Sequence, residues 1–201
     1  MGRLKRSPLW DDPRVKPPFG AVEVNDLHIV MALLFNEGAT WATDLARQNH
    51  GIGGSGQSAT VTDLGRGLRC AGTTLMTFAA PNPTTLQFSS AFTFCLRLRF
   101  QSQATNTPIC AKWGTDQAYL PLILLPADTP SCYIRVADVN FNATAATTYA
   151  DNAWRTWFGI YDGVNVRLRG YGPTGALVEN VTGSATAGPI LHSARARRVR
   201  A

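Results

Sequence analysis

Carboxyl groups that could act as a catalytic acid and base are few in this sequence and far apart. The 201 residues include three glutamates, Glu23, Glu37 and Glu179. Hydrolysis of a glycosidic bond needs two carboxyl groups held on either side of it. The serine in Gly53-Gly54-Ser55-Gly56 lacks the strand-to-helix setting that exposes a serine nucleophile. We therefore expect a protein that is not an enzyme.

Potential metal ligands show no spacing that is typical of a metal site. The three histidines, His28, His50 and His192, have no His or Cys partner at ligand spacing. The four cysteines, Cys70, Cys95, Cys110 and Cys132, are 25, 15 and 22 residues apart, with no C-x-x-C pair. They could form two disulfides, but each lies in an apolar strand context, where free thiols are common. We expect no metal and no cofactor, and we favour reduced thiols.

One turn region gathers side chains that are typical of a sugar-binding site. Trp113, Asp116, Gln117 and Tyr119 lie close together in the sequence. Sugar sites combine an aromatic ring, which stacks on the pyranose, with amide or carboxylate groups that hydrogen-bond its hydroxyls. The alternative is that Trp113 is buried in the turn, and we favour this interpretation. Trp41 and Trp157 are further candidates for a ring that stacks on a sugar. Trp154 and Trp157 also fit packing in a hairpin or in the core.

Positive charge is concentrated at the two ends of the chain. Residues 1–18 hold five basic and two acidic side chains, a net charge of +3, and residues 192–201 hold four arginines and no acid, a net charge of +4. The whole chain carries +6, so the part between the ends carries −1. Either both ends are solvated tails, or they dock onto an acidic partner surface.

The N-terminal end has the composition of an extended docking arm. Prolines at positions 8, 13, 17 and 18 disfavour helix and favour extended backbone, which loses little entropy on docking. The C-terminal arginines are not interleaved with aromatic residues, so we do not expect nucleic acid as a partner. We expect the following residues to anchor the chain: Arg3, Lys5, Arg6, Trp10, Arg14, Lys16, Phe19, Arg195, Arg197, Arg198 and Arg200.

Alternating apolar residues predict a chain built of β-strands. In segment 92–100, the apolar face is formed by Phe92, Phe94, Leu96, Leu98 and Phe100, and the opposite face by Thr93, Cys95, Arg97 and Arg99. Segment 164–169 alternates in the same way, with Val164, Val166 and Leu168 on one face and Asn165, Arg167 and Arg169 on the other. Five large apolar side chains on one face of segment 92–100 indicate that this face is core.

The remaining segments extend the same pattern without a helical stripe or a repeat. Strands are predicted near 27–35, 40–46, 58–63, 66–70, 73–78, 84–88, 107–112, 117–125, 131–137, 139–144, 155–161, 164–170 and 175–181. Loops are predicted at 51–58 and 126–130, which are rich in Gly, Pro, Asp and Ser.

Length and composition favour one β-sandwich domain. Hydrophobic residues make up 45% and charged residues 16%, which is typical of a globular protein. We expect an extended arm over 1–20, a sandwich over 21–190 and a basic tail over 191–201. The sequence has no run of 18 apolar residues, so we expect no membrane span. The basic N-terminus lacks the apolar region of a signal peptide.

Several motifs resemble the concanavalin A-like, laminin-G-like jelly-roll family. They are Phe35-Asn36-Glu37-Gly38, Asp44-Leu45 with Asn49-His50-Gly51, Ala111-Lys112-Trp113-Gly114, and the hairpin from Trp154 to Leu168. Together they span roughly residues 27–181. The resemblance implies an all-β, two-sheet antiparallel jelly-roll sandwich. The sequence departs from the family at Arg69-Cys70-Ala71-Gly72-Thr73, where relatives often have an acidic turn.

The resemblance to this family leaves several functions open, because the fold hosts lectins, enzymes and structural domains. Glucan hydrolases in the family carry a Glu-x-Asp-x-x-Glu or Glu-x-Asp-x-Glu strand, and this sequence has neither. Several relatives bind calcium through loop carboxylates, so calcium is a minor alternative, with Asp116, Asp138, Asp151 and Asp162 as the residues that could bind it.

Small sandwiches with an LFNEG opening strand and a basic N-terminal arm resemble virion proteins of tailed bacteriophages. The resemblance implies a structural protein, made in the host cytoplasm and displayed on the virion, most simply as a capsid decoration. Its expected partners are other virion proteins, in a multi-copy assembly, with no membrane contact. The alternative is a lectin-like tail or host-attachment protein that binds cell-surface glycans.

Overall fold

The described part of the chain is all-β. The structure is a computed structural model that describes residues 33–34, 41–44, 51–53, 57–62, 65–70, 76–78, 90–102, 105–114, 117–136, 139–184 and 190; side chains are described from Ser90 onward, except for 111–121. The chain divides into two compact units, Met1–Leu86 and Gln87–Ala201. No helix among these residues is long and apolar enough to cross a membrane.

The first unit contains six short described strands. They are β1 (Leu33–Leu34), β2 (Trp41–Asp44), β3 (Gly51–Gly53), β4 (Gln57–Thr62), β5 (Gly65–Cys70) and β6 (Met76–Phe78). Four form an antiparallel sheet in the order β1-β2-β3-β6, and β4 pairs with β5 as a hairpin. The predicted strand at 84–88 lies outside the described residues.

The prediction of a loop at 51–58 is wrong at both ends of this segment. Gly51–Gly53 forms β3 and Gln57 begins β4. Glycine has a low intrinsic strand preference. However, β3 lies between β2 and β6 and pairs with both, so its backbone groups find hydrogen-bond partners on two sides. Pairing on both sides therefore overrides the local composition.

The second unit contains two four-stranded antiparallel sheets. Its strands are β7 (Phe92–Leu98), β8 (Thr107–Gly114), β9 (Gln117–Leu125), β10 (Thr129–Val136), β11 (Val139–Thr144), β12 (Arg155–Tyr161), β13 (Asn165–Tyr171) and β14 (Leu177–Ser184). Sheet I has the order β11-β10-β9-β8, and sheet II has the order β14-β13-β12-β7. The predicted strands at 117–125, 139–144 and 155–161 are confirmed to the residue.

The two sheets pack face to face around one core, as in a β-sandwich. Sheet I contributes the buried residues Leu122, Leu124, Cys132, Ile134, Val136 and Ala143, and sheet II contributes Phe92, Trp157, Tyr161, Val166 and Leu168. The Trp157 ring lies at the centre, with the Tyr149 ring edge-on at 4.9 Å and the Phe100 ring at 6.0 Å. Each large side chain contributes about 1.5–3 kcal/mol on full burial.

The predicted apolar face of segment 92–100 is confirmed. Phe92 and Phe100 are buried, and Phe94, Leu96 and Leu98 pack half-buried against the core. The prediction for segment 164–169 is confirmed for Val166 and Leu168, which are fully buried, and is wrong for Val164, which is 52% exposed. Val164 precedes β13 and belongs to the turn that follows Asp162, so the strand alternation does not reach it.

The loop predicted at 126–130 is shorter in the structure. Ala127 and Asp128 have φ angles of 64° and 60°, the left-handed conformation that tight hairpin turns require. β10 therefore begins at Thr129 and includes Pro130. Proline is tolerated because it lies near the start of the strand, and its carbonyl accepts a hydrogen bond from Ala145 N at 2.9 Å.

Candidate functional sites

The predicted anchoring residues all lie outside the described part of the chain. This applies to Arg3, Lys5, Arg6, Trp10, Arg14, Lys16, Phe19, Arg195, Arg197, Arg198 and Arg200. The structure does fix a point next to the basic tail. Ile190 is 2% exposed, belongs to the core and forms an antiparallel bridge with Val136 at the end of β10. The arginines at 195–200 thus begin five residues beyond a buried attachment point.

The predicted sugar-binding residues lie in the β8–β9 hairpin. Asp116 is outside the described residues, as are all four side chains, but the backbone register is clear. Trp113 pairs with Ala118, whereas Tyr119 pairs with Lys112 and Gln117 with Gly114. Three of the four residues therefore lie within a few residues of one another in the same hairpin. A sugar site made by all of them stays a prediction.

The carboxylate of Asp151 belongs to a structural network at one end of sheet II. Asp151 forms a two-point ion pair with the Arg155 guanidinium, and this hydrogen bonding lowers the pKa of the Asp151 carboxyl to about 2. The Arg155 guanidinium lies over the Tyr149 ring, 4.8 Å from its centroid. The pair thereby fixes Tyr149 against the Trp157 ring in the core.

Glu179 completes this network from β14. Its Oε2 accepts a hydrogen bond from Ala146 N at 3.2 Å and lies 3.1 Å from the Tyr149 hydroxyl. The same hydroxyl lies 3.0 Å from the Val178 carbonyl oxygen. Glu179 therefore connects the segment after β11 to the edge of sheet II, which is a structural role.

Asp162 stabilises the turn after β12, and Asp128 connects the turn after β9 to the segment after β7. Asp162 Oδ1 accepts hydrogen bonds from Val164 N and Asn165 N at 3.0 and 2.7 Å, and these bonds lower the pKa of its carboxyl. Asp128 accepts a hydrogen bond from Ser102 Oγ at 2.8 Å. Asp151 and Asp162 flank the seven-residue strand β12, which spans roughly 23 Å, so they cannot ligate the same calcium ion. Asp116 and Asp138 lie outside the described residues.

Three cysteines have described side chains, and none of them forms a disulfide. Cys132 is fully buried in the core, Cys110 is half-buried and Cys95 is exposed on sheet II. Burial raises the pKa of the Cys132 thiol to about 12, so this thiol stays protonated at neutral pH and is a poor nucleophile. The described residues contain no group of three His, Cys, Asp or Glu side chains that could hold a metal ion.

The sequence places arginines opposite the apolar faces of segments 92–100 and 164–169, but it does not predict that they lie together, with two aromatic rings, on the face of sheet II opposite the core. Strand register places three arginines in three successive cross-strand rows. Arg167 lies in the row of Thr93 and Ile160, Arg169 in the row of Cys95 and Phe158, and Arg97 in the row of Thr156 and Tyr171. We call these nine residues, with Asn180 and Thr182 of β14, the arginine face.

The arginine face also carries two aromatic rings on its central strands. Phe158 of β12 and Tyr171 of β13 contact each other edge to face, with ring centroids 5.7 Å apart. Arg169 Nε donates to Asn180 Oδ1 at 3.2 Å and Arg97 donates to Thr156 Oγ1 at 3.3 Å. Arg167 pairs with Asp162 at 2.7 Å. Beyond β7, Arg99 lies over the Trp154 ring, 5.3 Å from its centroid.

Comparisons with protein-family models, with curated proteins and with solved structures found no match to this chain.

Proposed function

We propose that this protein is a non-enzymatic structural component of a bacteriophage particle, a capsid decoration or another surface-displayed protein fastened through its ends. The observation that carries the proposal is the position of Ile190. Ile190 is buried in the core and bridges Val136, and the segment with a net charge of +4 begins two residues later. A basic segment that follows a core residue so closely suits docking onto an acidic shell protein.

The described carboxylates support a non-catalytic body. Asp151 is paired with Arg155, Asp162 stabilises a turn, and Asp128 and Glu179 each connect two segments. Glycoside hydrolysis requires two carboxyl groups roughly 5–10 Å apart on either side of a substrate, whereas these four form an ion pair and hydrogen bonds within the protein. Purified protein should therefore leave β-glucans and other common polysaccharides intact. Turnover that disappears on replacing Glu23 or Glu37 would disprove this.

The strand connections favour a jelly roll for the body, as the family resemblance implies. β8 to β11 form a meander in sheet I, and β12 to β14 form a meander in sheet II. β7 precedes the first meander but pairs with β12, which follows it. The chain therefore crosses between the sheets twice within the second unit, as double-sheet Greek-key folds do.

Neutralising the basic tail tests the proposal. In the full-length chain, Arg195, Arg197, Arg198 and Arg200 are replaced together by Gln, and a matched variant carries Lys at the same four positions. The Gln variant should be lost from purified particles and the Lys variant retained, because the attachment depends on charge. Retention of the wild-type protein should weaken as salt rises. Salt-insensitive attachment would indicate Trp10 and Phe19 as the main anchors, and full occupancy of the Gln variant would contradict anchoring by the tail.

The alternative function is glycan binding by a tail or host-attachment protein. The observation that favours it is that Trp113, Gln117 and Tyr119 lie in one hairpin. A stacking ring must be exposed, so Trp113→Ala should then abolish binding on a glycan array and leave the melting temperature nearly unchanged. Asp116→Ala and Gln117→Ala should weaken the same binding. If the protein is structural, Trp113→Ala should instead lower the free energy of unfolding by about 3–5 kcal/mol, with Asp116→Ala and Gln117→Ala nearly silent.

A further inference from the structure

We propose that the arginine face of sheet II binds single-stranded nucleic acid. This inference is independent of the proposed function, because it rests only on the side chains of four strands. We did not expect nucleic acid as a partner because the arginines at the chain ends are not interleaved with aromatic residues. In sheet II, however, arginines and aromatic rings alternate where β7, β12 and β13 lie side by side.

The charge of the face favours an anionic ligand. Each of its three cross-strand rows contains one arginine, Arg167, Arg169 or Arg97. Of the described side chains on these strands, only Glu179 is acidic, and it turns to the opposite side to reach Ala146 N and the Tyr149 hydroxyl. Asp162, at the end of β12, offsets Arg167. Guanidinium groups bind phosphate through paired, charge-assisted hydrogen bonds.

The rings on the face favour nucleic acid over other anions. Phe158 and Tyr171 lie on the two central strands and contact each other diagonally. Proteins that bind single strands combine a basic path for the backbone with aromatic rings on which bases stack, and a four-stranded sheet with rings on its outer face is one such platform. The side chains of an acidic peptide, Asp and Glu, have no aromatic ring to stack on these rings. Thr182 and Asn180, both exposed at the edge, can hydrogen-bond bases or sugars.

The size of the face also favours a narrow ligand. Four strands, each about 4.8 Å wide and about seven residues long, cover roughly 440 Å² in projection. A stable interface with a folded protein buries about 800 Å² on each partner, so the face is too small for such a partner alone. A single strand of a few nucleotides fits it, since such sites on small β-folds take about 4–16 nucleotides.

Arg135 provides a matched control for Arg169. Arg135 lies on β10 of sheet I, pairs directly with Asn140 and donates Nε to Asn140 Oδ1 at 3.1 Å. Arg169 pairs directly with Asn180 and donates Nε to Asn180 Oδ1 at 3.2 Å. Both arginines are half-buried. Replacing either with Ser removes one positive charge and a hydrogen bond to an asparagine, so a loss of binding in Arg169→Ser alone would be due to the arginine face rather than to the net charge of the protein.

The test is fluorescence anisotropy of the full-length protein with a labelled oligo-dT of about 12 nucleotides, over a salt series. Arg169→Ser should weaken binding about tenfold and lower the slope of log affinity against log salt by about one, whereas Arg135→Ser should change neither markedly. Tyr171→Leu should weaken binding about tenfold with an unchanged salt slope, because it removes stacking and no charge, and Tyr171→Phe should restore binding.

Three results would overturn the proposal. The first is no binding by the wild-type protein at low salt. The second is an equal loss in Arg169→Ser and Arg135→Ser, which would assign binding to the basic ends or to net charge. The third is competition by poly-glutamate as effective as competition by unlabelled oligo-dT, which would indicate an acidic peptide as the ligand. If Arg169→Ser proves unfolded by circular dichroism, the comparison of Tyr171→Leu with Tyr171→Phe decides the question.

Discussion

At the scale of single residues, the core depends on a glycine that makes room for a tryptophan. Gly170 pairs with Trp157 across β13 and β12, and a Cβ built on Gly170 would lie 2.6 Å from Trp157 Cζ3. The indole therefore occupies the space that any other side chain would need. Replacing Gly170 by Ala should force Trp157 to move against the rings of Tyr149 and Phe100.

We expect Gly170→Ala to lower the free energy of unfolding by about 1–3 kcal/mol, the usual range for overpacking. The control is Gly172→Ala, whose Cβ would meet nothing closer than Val178 Cγ1 at 3.3 Å. Chemical denaturation of both variants measures the difference. Equal stability of the two would mean that Trp157 is not packed on Gly170 as described.

The Asp151–Arg155 pair should make stability depend on pH in the acid range. The pKa of the Asp151 carboxyl is about 2 in the folded protein and about 3.9 in an unfolded chain. Because the folded value is lower, the pair stabilises the fold above about pH 4, and this stabilisation is lost as the pH falls toward 2. Asp151→Asn should lower the melting temperature at pH 6 and reduce the loss between pH 4 and 2. Parallel melting curves for both proteins across that range would contradict the assignment.

At the scale of elements, the sequence predicts where individual strands lie better than it predicts which strands pair with each other. Segment 117–125 is confirmed to the residue because turn residues border a continuous apolar strand. The predictions for Val164 and for the 126–130 loop are wrong because both depend on turn geometry. The hydrogen bonds of Asp162 set the first turn, and the φ angles of Ala127 and Asp128 set the second. The arginine face was missed because it requires β7 to pair with β12, whose sequence lies some sixty residues away. Local patterns carry no information on such a pairing.

The two edge strands β11 and β14 pack closely through a second glycine. A Cβ on Gly183 would collide with the carbonyl oxygen of Asn142 and would lie 2.9 Å from its carbonyl carbon. A backbone group cannot move aside as a flexible side chain can. Gly183→Ala should therefore separate β14 from β11 and lower the free energy of unfolding by about 1–3 kcal/mol.

Thr182 is the matched control for this prediction, because it lies next to Gly183 in β14 and is exposed. Thr182→Ala should change the free energy of unfolding by less than about 0.5 kcal/mol, as surface substitutions usually do. Hydrogen exchange of the β14 amides should rise in Gly183→Ala and stay at the wild-type level in Thr182→Ala. A stable Gly183→Ala variant with protected β14 amides would contradict the close approach of the two strands.

At the scale of the whole molecule, a folded body and its charged ends should be separable. The core extends to Ile190, so a chain trimmed to residues 20–190 retains every described core residue. We expect this chain to fold and to be absent from particles, because it lacks both basic ends. Normal incorporation of the trimmed chain would show that the body carries the attachment surface.

The most direct test of a particle-bound structural role is a density map of intact particles purified from cells that produce this protein, combined with quantification of the chain in them. We predict many symmetry-related copies of the β-sandwich on the particle surface. The segment after Ile190 and the residues before 20 should contact the underlying shell. Absence of the chain from purified particles, or sandwiches attached through the body with both ends directed into solvent, would contradict the proposed function.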